Sequence, residues 1–320
     1  MPVTHKFALT IIVIVLSMIA GVIARHLKLL REKQAKPIMT LVTVVGYPLA
    51  ALLAVWVMKI EICDAWLPIL GFLQALLLGF VGLFVGKRIF KDRQERGLLG
   101  FSCTVGNHGI TMVGFVVYLL AGAQGLGINT IYAVYTFVAL VVVMYPIAMH
   151  FSPDAKRQSL GMLLVKSLIN IRSLGLLACF AGIILSLTKV PQPAFVAQWK
   201  LLDVVIYGVI ISANFAIGLR LHVPHILEVK RLLLSTLIIR HAVGLGIGLG
   251  FVLLVSLTPF PLTGISRTVV ILQSSAPVGV MSVAVANMFH IHPQKASMLF
   301  VVSSLLYLAI GLPLTILIYG

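Results

Sequence analysis

The sequence predicts an all-α membrane protein of ten transmembrane helices, arranged as two inverted five-helix repeats. Three observations predict it. Ten apolar runs are long enough to cross a bilayer. The basic residues between them gather on one side. One helix in each half is interrupted, at matching places.

Composition sets the class. Hydrophobic residues make up 60% of the chain and charged residues 10%, with a mean hydropathy of +1.12. A soluble domain is about half apolar and about a quarter charged. The excess apolar surface calls for lipid. The 24 Lys and Arg exceed the 8 Asp and Glu by 16 charges. That excess fits cytoplasmic loops, which collect Lys and Arg. No basic run with interleaved aromatics is present, so nucleic acid is not an expected partner. Cys63, Cys103 and Cys179 show neither metal-ligand nor disulfide spacing and read as small buried side chains.

A spanning helix needs roughly 20 mainly apolar residues. The first run, 7–25, follows only Lys6 and reads as an uncleaved first helix rather than a signal peptide. The others are 38–58, 66–86, 97–121, 128–148, 172–188, 202–219, 232–257, 266–289 and 297–319. The segment between helices 5 and 6 carries Ser152, Pro153, Asp154, Lys156 and Arg157 and reads as a linker. The domains are therefore 1–149, a cytoplasmic linker 150–171, and 172–320.

Charge sets the orientation. The loops after helices 1, 3, 5, 7 and 9 hold eighteen basic residues, among them Arg25, Lys36, Lys87, Arg96, Lys156, Arg220 and Lys295. The opposite side holds five: Lys6, Lys59, Lys189, Lys200 and Arg267. The positive-inside rule places the first set in the cytoplasm. A multi-pass cell (inner) membrane protein with both termini on the non-cytoplasmic side is expected.

Corresponding helices of the two halves start about 165–170 residues apart. Five is odd, so the second half enters the membrane inverted, as in many secondary transporters. Helix 4 contains Gly106-Asn107-His108-Gly109, followed by Thr111. Glycine weakens a helix, and lipid does not solvate Asn or His. Helix 9 contains Gln273-Ser274-Ser275-Ala276-Pro277. Proline lacks an amide hydrogen and clashes with the preceding turn, so this helix should break or kink. Pro277 follows Asn107 by 170 positions, in register with the halves. Half-helices that meet at a break expose backbone groups, and their N-terminal ends can hold an anion. A structural kink with small residues for close packing is the competing reading.

These features resemble the auxin efflux carrier family over nearly the whole chain. Family members follow helix 1 with a basic loop, here Arg25, Lys28, Arg31, Lys33 and Lys36, and then a proline-containing helix, here Tyr47-Pro48-Leu49-Ala50. Asn107-His108-Gly109 and Ala121-Gly122-Ala123-Gln124-Gly125-Leu126 match their helix 4 pattern, and Ser275-Ala276-Pro277 matches their helix 9 crossover. Gly114 stands near the position of the family's helix 4 proline, and Arg172 and His241 stand where helices 6 and 8 often carry one. The resemblance implies a permease or efflux carrier with a fold like that of the bile acid/sodium symporters. In that fold the broken helices 4 and 9 cross as unwound segments. The two breaks in register make Asn107, His108, Gly109, Thr111, Ser275, Ala276 and Pro277 the expected substrate-binding set.

None of the acids Glu32, Glu61, Asp64, Asp92, Glu95, Asp154, Asp203 and Glu228 falls in mid-membrane, and Asp203 lies at a helix end. A site without acids, built on helix N-termini with nearby His and Arg, suits a small organic anion such as a carboxylate. His108 either contacts the substrate, carries a proton or bonds to backbone opened by the break. Arg240 and His241 lie about nine residues into helix 8, roughly 13 Å deep. Arg240 either snorkels, contacts substrate, or holds structure. Asn214 and Gln273 are polar residues that either face the site or hold helices together. Gly244, Gly246, Gly248 and Gly250 suit helix packing and form no phosphate loop.

No H-E-x-x-H, G-x-S-x-G or acidic cluster points to an enzyme, and no metal or cofactor is expected. The function read is a secondary transporter working by alternating access. The alternatives are a sodium- or proton-coupled symporter of bile-acid type and a nontransporting membrane sensor. The expected partners are the anion, the bilayer and a second copy of the chain in a homodimer.

Overall fold

Apolar runs of this length can satisfy their backbone only as helix, and the chain does so. The computed structural model describes residues 3–153, 161–162, 165, 173–220, 229–311 and 313–314. The main runs are α1 (Val3–His26), α2 (Glu32–Val57), α3 (Ile62–Ile89), α4 (Arg93–Thr104) and α5 (Val113–Phe151). They continue as α6 (Leu174–Leu187), α7 (Leu201–Arg220), α8 (Lys230–Ser256), α9 (Gly264–Ser274), α10 (Val280–Met288) and α11 (Pro293–Gly311). A short turn of helix, Ala194–Gln198, precedes α7. No strand occurs among the described residues.

Six of these runs, α2, α3, α5, α7, α8 and α11, are long and apolar enough to cross a membrane. Two shorter apolar helices are Ile11–His26, within α1, and α6. Large apolar side chains face outward, with Leu16 58%, Phe80 68% and Leu253 66% exposed. Contiguous exposed apolar surface of this kind is suited to lipid. The chain thus has the character of a helical membrane protein.

Local chemistry explains the helix ends and irregularities. Asp92 caps α4, its carboxylate accepting from the Gln94 N–H at 2.9 Å. Tyr47-Pro48 and Tyr145-Pro146 each follow a π-turn, Val42–Gly46 and Leu140–Met144. Proline removes a rung of the helix ladder, and the wider turn before it lets the helix continue. A third π-turn, Ile238–Val243, carries Arg240 and His241. Gly122, inside α5, has φ 59° and ψ −148°. A side chain there would meet open space, so the left-handed backbone alone calls for glycine.

The structure shifts several expected boundaries. Expected helix 4, 97–121, is α4 plus residues 113–121 of α5, separated by the non-helical stretch 105–112. The loop expected before residue 128 is only the bend at Gly122, because one left-handed residue suffices to turn the chain. Expected helix 9 is α9 and α10, separated by 275–279. Most of the expected linker, including Asp154, Lys156 and Arg157, lies outside the described residues, as do Arg172 and Glu228.

Packing sorts the helices into two groups. In the first, α1 packs along α7, and α2 packs against α6 and α7. Trp56 Nε1 donates to Val190 O at 2.7 Å and Ser186 Oγ to Met58 O at 2.6 Å, tying α2 to α6 and the turn after it. In the second, α3 packs on α4 and α5, α8 on α9 and α11, and α10 on α11. In α8, Gly244 and Gly248 face Ser274 of α9, whereas Gly246 and Gly250 face open space. So only half of the alternating glycine row serves helix packing. The first half of α5 touches both groups, meeting α2 on one side and α9 on the other.

Candidate functional site

The interruptions at 105–112 and 275–279 lie side by side. Gly106 and Val278 form an antiparallel bridge. The Asn107 N–H donates to Pro277 O at 2.8 Å, and the Gly279 N–H donates to Val105 O at 3.1 Å. Each break thus supplies a donor and an acceptor to the other. This meets the requirement that buried backbone groups be paired within the protein. Gly279 allows the approach: a Cβ there would lie 2.7 Å from Gly106 O and 2.9 Å from Val105 O.

Four helix ends converge on this point. α4 and α9 end there, and α5 and α10 begin there. The carbonyl ends are negative and the amide ends positive. Side chains from neighbouring helices take up the carbonyls. Gln74 of α3 donates Nε2 to Ser274 O at 3.0 Å and to Gly244 O at 3.3 Å. His241 of α8 donates Nδ1 to Ser275 O at 2.8 Å. Arg240 donates Nε and Nη2 to Ala276 O, at 2.9 and 2.7 Å, and Nη1 to Cys103 O at 2.8 Å. Arg240 is 2% exposed, so it binds the crossing and does not snorkel.

The amide end of α5 is partly closed by its own loop. The Met112 and Gly114 N–H groups donate to Gly109 O at 3.1 and 3.0 Å. At α10 the Val278 N–H donates to Ser303 Oγ of α11 at 3.2 Å.

His108 is buried and sits in a polar network. Its Nε2 accepts from the Gly106 N–H at 3.0 Å and lies 2.6 Å from the Tyr135 hydroxyl. Its Nδ1 lies 2.5 Å from Gln273 Oε1. A backbone N–H can only donate, so Nε2 is the acceptor and Nδ1 carries the hydrogen. Gln273 Nε2 donates to His108 O at 3.2 Å and to Asn129 Oδ1. Asn129 Nδ2 also donates to His108 O, at 3.1 Å. Tyr132 and Tyr135 present their edges to the imidazole, and Tyr132 Oη donates to Gln74 Oε1 at 3.0 Å. The network therefore joins α3, α5 and α9 across the crossing.

A second path leads toward the other helix group. Asn107 Oδ1 accepts from Thr111 Oγ1 at 3.1 Å, and Thr111 Oγ1 accepts from the Tyr47 hydroxyl of α2 at 3.2 Å. Gly109 faces the same tyrosine. Tyr47, Thr111 and Gly109 thus line the side of the crossing that faces α2.

The structure brings together Asn107, His108, Gly109, Thr111, Gln273, Ser275, Ala276, Pro277, Arg240 and His241. It leaves Asn214 elsewhere: this buried residue of α7 donates to Ile210 O of its own helix at 2.8 Å. Sequence reasoning missed Gln74, Asn129, Tyr47, Tyr132 and Tyr135. Gln74 and Asn129 carried a usable signal, being amides within apolar runs. The tyrosines carried none, because tyrosine is common at membrane interfaces.

Among the described residues no group of three or more His, Cys, Asp or Glu could hold a metal ion. No family model matches the chain, and no curated protein matches it.

Proposed function

We propose that this chain is a secondary transporter of a small organic anion, a permease of the auxin efflux carrier type. One observation carries the reading: two interrupted helices, at equivalent positions in sequence, exchange backbone hydrogen bonds Asn107 N–H to Pro277 O and Gly279 N–H to Val105 O. Interruptions at this depth are expensive, and a transport site is a use that repays the expense.

Ten spans follow when α4 with residues 113–121 is counted as one crossing and α9 with α10 as another. Inverted repetition is supported by element starts about 170 residues apart, as for α4 and α9 or α3 and α8. It is supported also by reciprocal capping. Gln74 of α3 caps the end of α9 at Ser274, while Arg240 of α8 caps the end of α4 at Cys103.

The substrate class follows from the ends left over. The carbonyl ends are occupied by Arg240, His241 and Gln74, so the partial positive charge of the α5 and α10 ends has no matching anion in this set of contacts. A carboxylate approaching Asn107, Thr111 and Gly109 from the α2 side meets donors and that positive field. Alternating access then moves α1, α2, α6 and α7 relative to the other helices.

The test is uptake of a panel of radiolabelled carboxylates into proteoliposomes. Wild type should move at least one of them. Asn107→Ala should abolish that uptake while inserting normally. Wild-type rates in Asn107→Ala would sink the site, and no movement of any carboxylate would sink the function.

A further inference from the structure

We infer that Arg240 is the fixed counter-cation of the crossing, standing where a mobile monovalent cation would otherwise be needed, so that the site works without sodium. The transport part of this inference rests on the proposed function; the ion-binding part does not.

The starting point is a charge balance. α4 and α9 end at the crossing, and each helix C-terminus carries about half a negative elementary charge. Two such ends, buried together, amount to about one negative charge, which the amide ends of α5 and α10, already bonded to Gly109 O and Ser303 Oγ, offset only in part. Arg240 brings one positive charge to the same place, at 2% exposure. Its three hydrogen bonds divide between the two ends, one to Cys103 O near the end of α4 and two to Ala276 O just past α9. A compact cation held by backbone carbonyls would make the same kind of contact with the same oxygens.

The carboxylates point the same way. The ion pairs Lys59–Glu61, His292–Asp92 and Lys295–Glu95 do not involve Arg240, whose hydrogen bonds go to backbone carbonyls. A buried arginine without a carboxylate is costly unless other negative groups compensate it. Here the compensation is helix carbonyls alone, so helix ends and arginine neutralise one another. The guanidinium fills its place closely: Gly106 packs directly on it, and a Cβ at Gly106 would collide with Nη2. Gln273 stands in the same crossing as a neutral amide, its Oε1 already bonded to His108. With the negative ends neutralised from within, an anion at the α5 and α10 amide ends is not opposed by them.

Arg240 is on this account a positioning residue, since it touches backbone and not substrate. Packing alone would also make it necessary, so the decisive readout is dependence on the cation. Purified full-length protein is melted in sodium chloride and in choline chloride at equal ionic strength. Wild type should unfold at the same temperature in both. Arg240→Ala should unfold at a lower temperature in choline chloride and recover by about 2–4 °C with sodium or with low-millimolar guanidinium, through binding to the vacated carbonyls. Arg240→Lys, which keeps the charge, should stay insensitive to sodium. A sodium-specific rise in the wild type, or an Arg240→Ala protein indifferent to both cations, would overturn the inference. Should Arg240→Ala not fold, the wild-type and Arg240→Lys comparisons decide it alone. In proteoliposomes, wild-type uptake should proceed at the same rate with sodium replaced by choline. Failure of all carboxylate uptake would sink the transport reading and leave the melting comparisons standing.

Discussion

At His108 the hydrogen bonds decide between a proton carrier and a scaffold. Nε2 faces an amide donor from Gly106, and Nδ1 faces an acceptor on Gln273. A second proton on Nε2 would point at the Gly106 N–H. While the crossing is assembled, the ring therefore serves as a neutral crosslink between the two breaks. His108→Gln removes part of this network and leaves buried groups short of partners, at a cost of about 1–3 kcal/mol. The expected outcome is a lower unfolding temperature and slower carboxylate uptake, with the pH profile of uptake keeping its wild-type shape. A profile flattened in His108→Gln would assign the proton to this ring and reject the scaffold role. The sequence presented His108 as a polar residue inside an apolar run, which marked the position. It could not reveal the partners, because Tyr135 lies 27 residues away in α5 and Gln273 is 165 residues away.

The helix elements were legible because lipid demands long apolar runs, and the breaks because Asn107, Gly109 and Pro277 violate that demand. Their ends were less legible. The bend at Gly122 and the π-turns before Pro48 and Pro146 are adjustments of backbone geometry that leave hydropathy unchanged. The close approach at Gly279 was invisible too, since it depends on a segment distant in sequence. It yields a direct test: Gly279→Ala drives a methyl against two backbone oxygens that cannot rotate away. The crossing must open, at a cost of about 1–3 kcal/mol, seen as a lower unfolding temperature; an unchanged one would contradict the packing.

A second element-scale test lies where α4 meets α11. Asp92 sits 2.6 Å from His292, and Glu95 sits 2.6 Å from Lys295. Burial raises the pKa of Asp92, but the His292 bond, the Gln94 N–H and the charges of His292 and Lys295 outweigh it, for a net lowering. A lowered carboxylate pKa contributes stability above the ordinary value of 3.8, and that contribution is lost as pH falls through the folded-state value. Asp92→Asn should therefore lower the unfolding temperature at neutral pH by a small amount, about 1–3 °C for a pair this exposed. The gap from wild type should close in acid. A gap that persists well below pH 3.8 would mean that the carboxylate charge is not its source.

At the scale of the whole molecule, the two helix groups are joined by polar links that alternating access would have to break. Tyr47 reaches from α2 to Thr111. Gln124 exchanges bonds with the backbone of Lys59, at 2.9 and 3.1 Å. The Tyr118 hydroxyl in α5 bonds to Asp203 in the first turn of α7, and the Phe115 ring meets the edge of Tyr207 beside it. A sequence reading limited to hydropathy gave Asp203 only an end-of-helix role, since its partner lies 85 residues away. A hydrogen bond to a carboxylate is worth about 1.5 kcal/mol, and a bond made in one conformation alone shifts the balance between two conformations by about tenfold. Tyr118→Phe keeps the ring and removes the bond. Hydrogen exchange should then quicken in residues 113–121 and in the first turn of α7, while exchange in α4 and α10 stays at wild-type rates. Loss of protection spread over both groups would instead mean that the bond supports the fold as a whole. Unchanged exchange in 113–121 would mean that Tyr118 and Asp203 do not hold the groups in this arrangement.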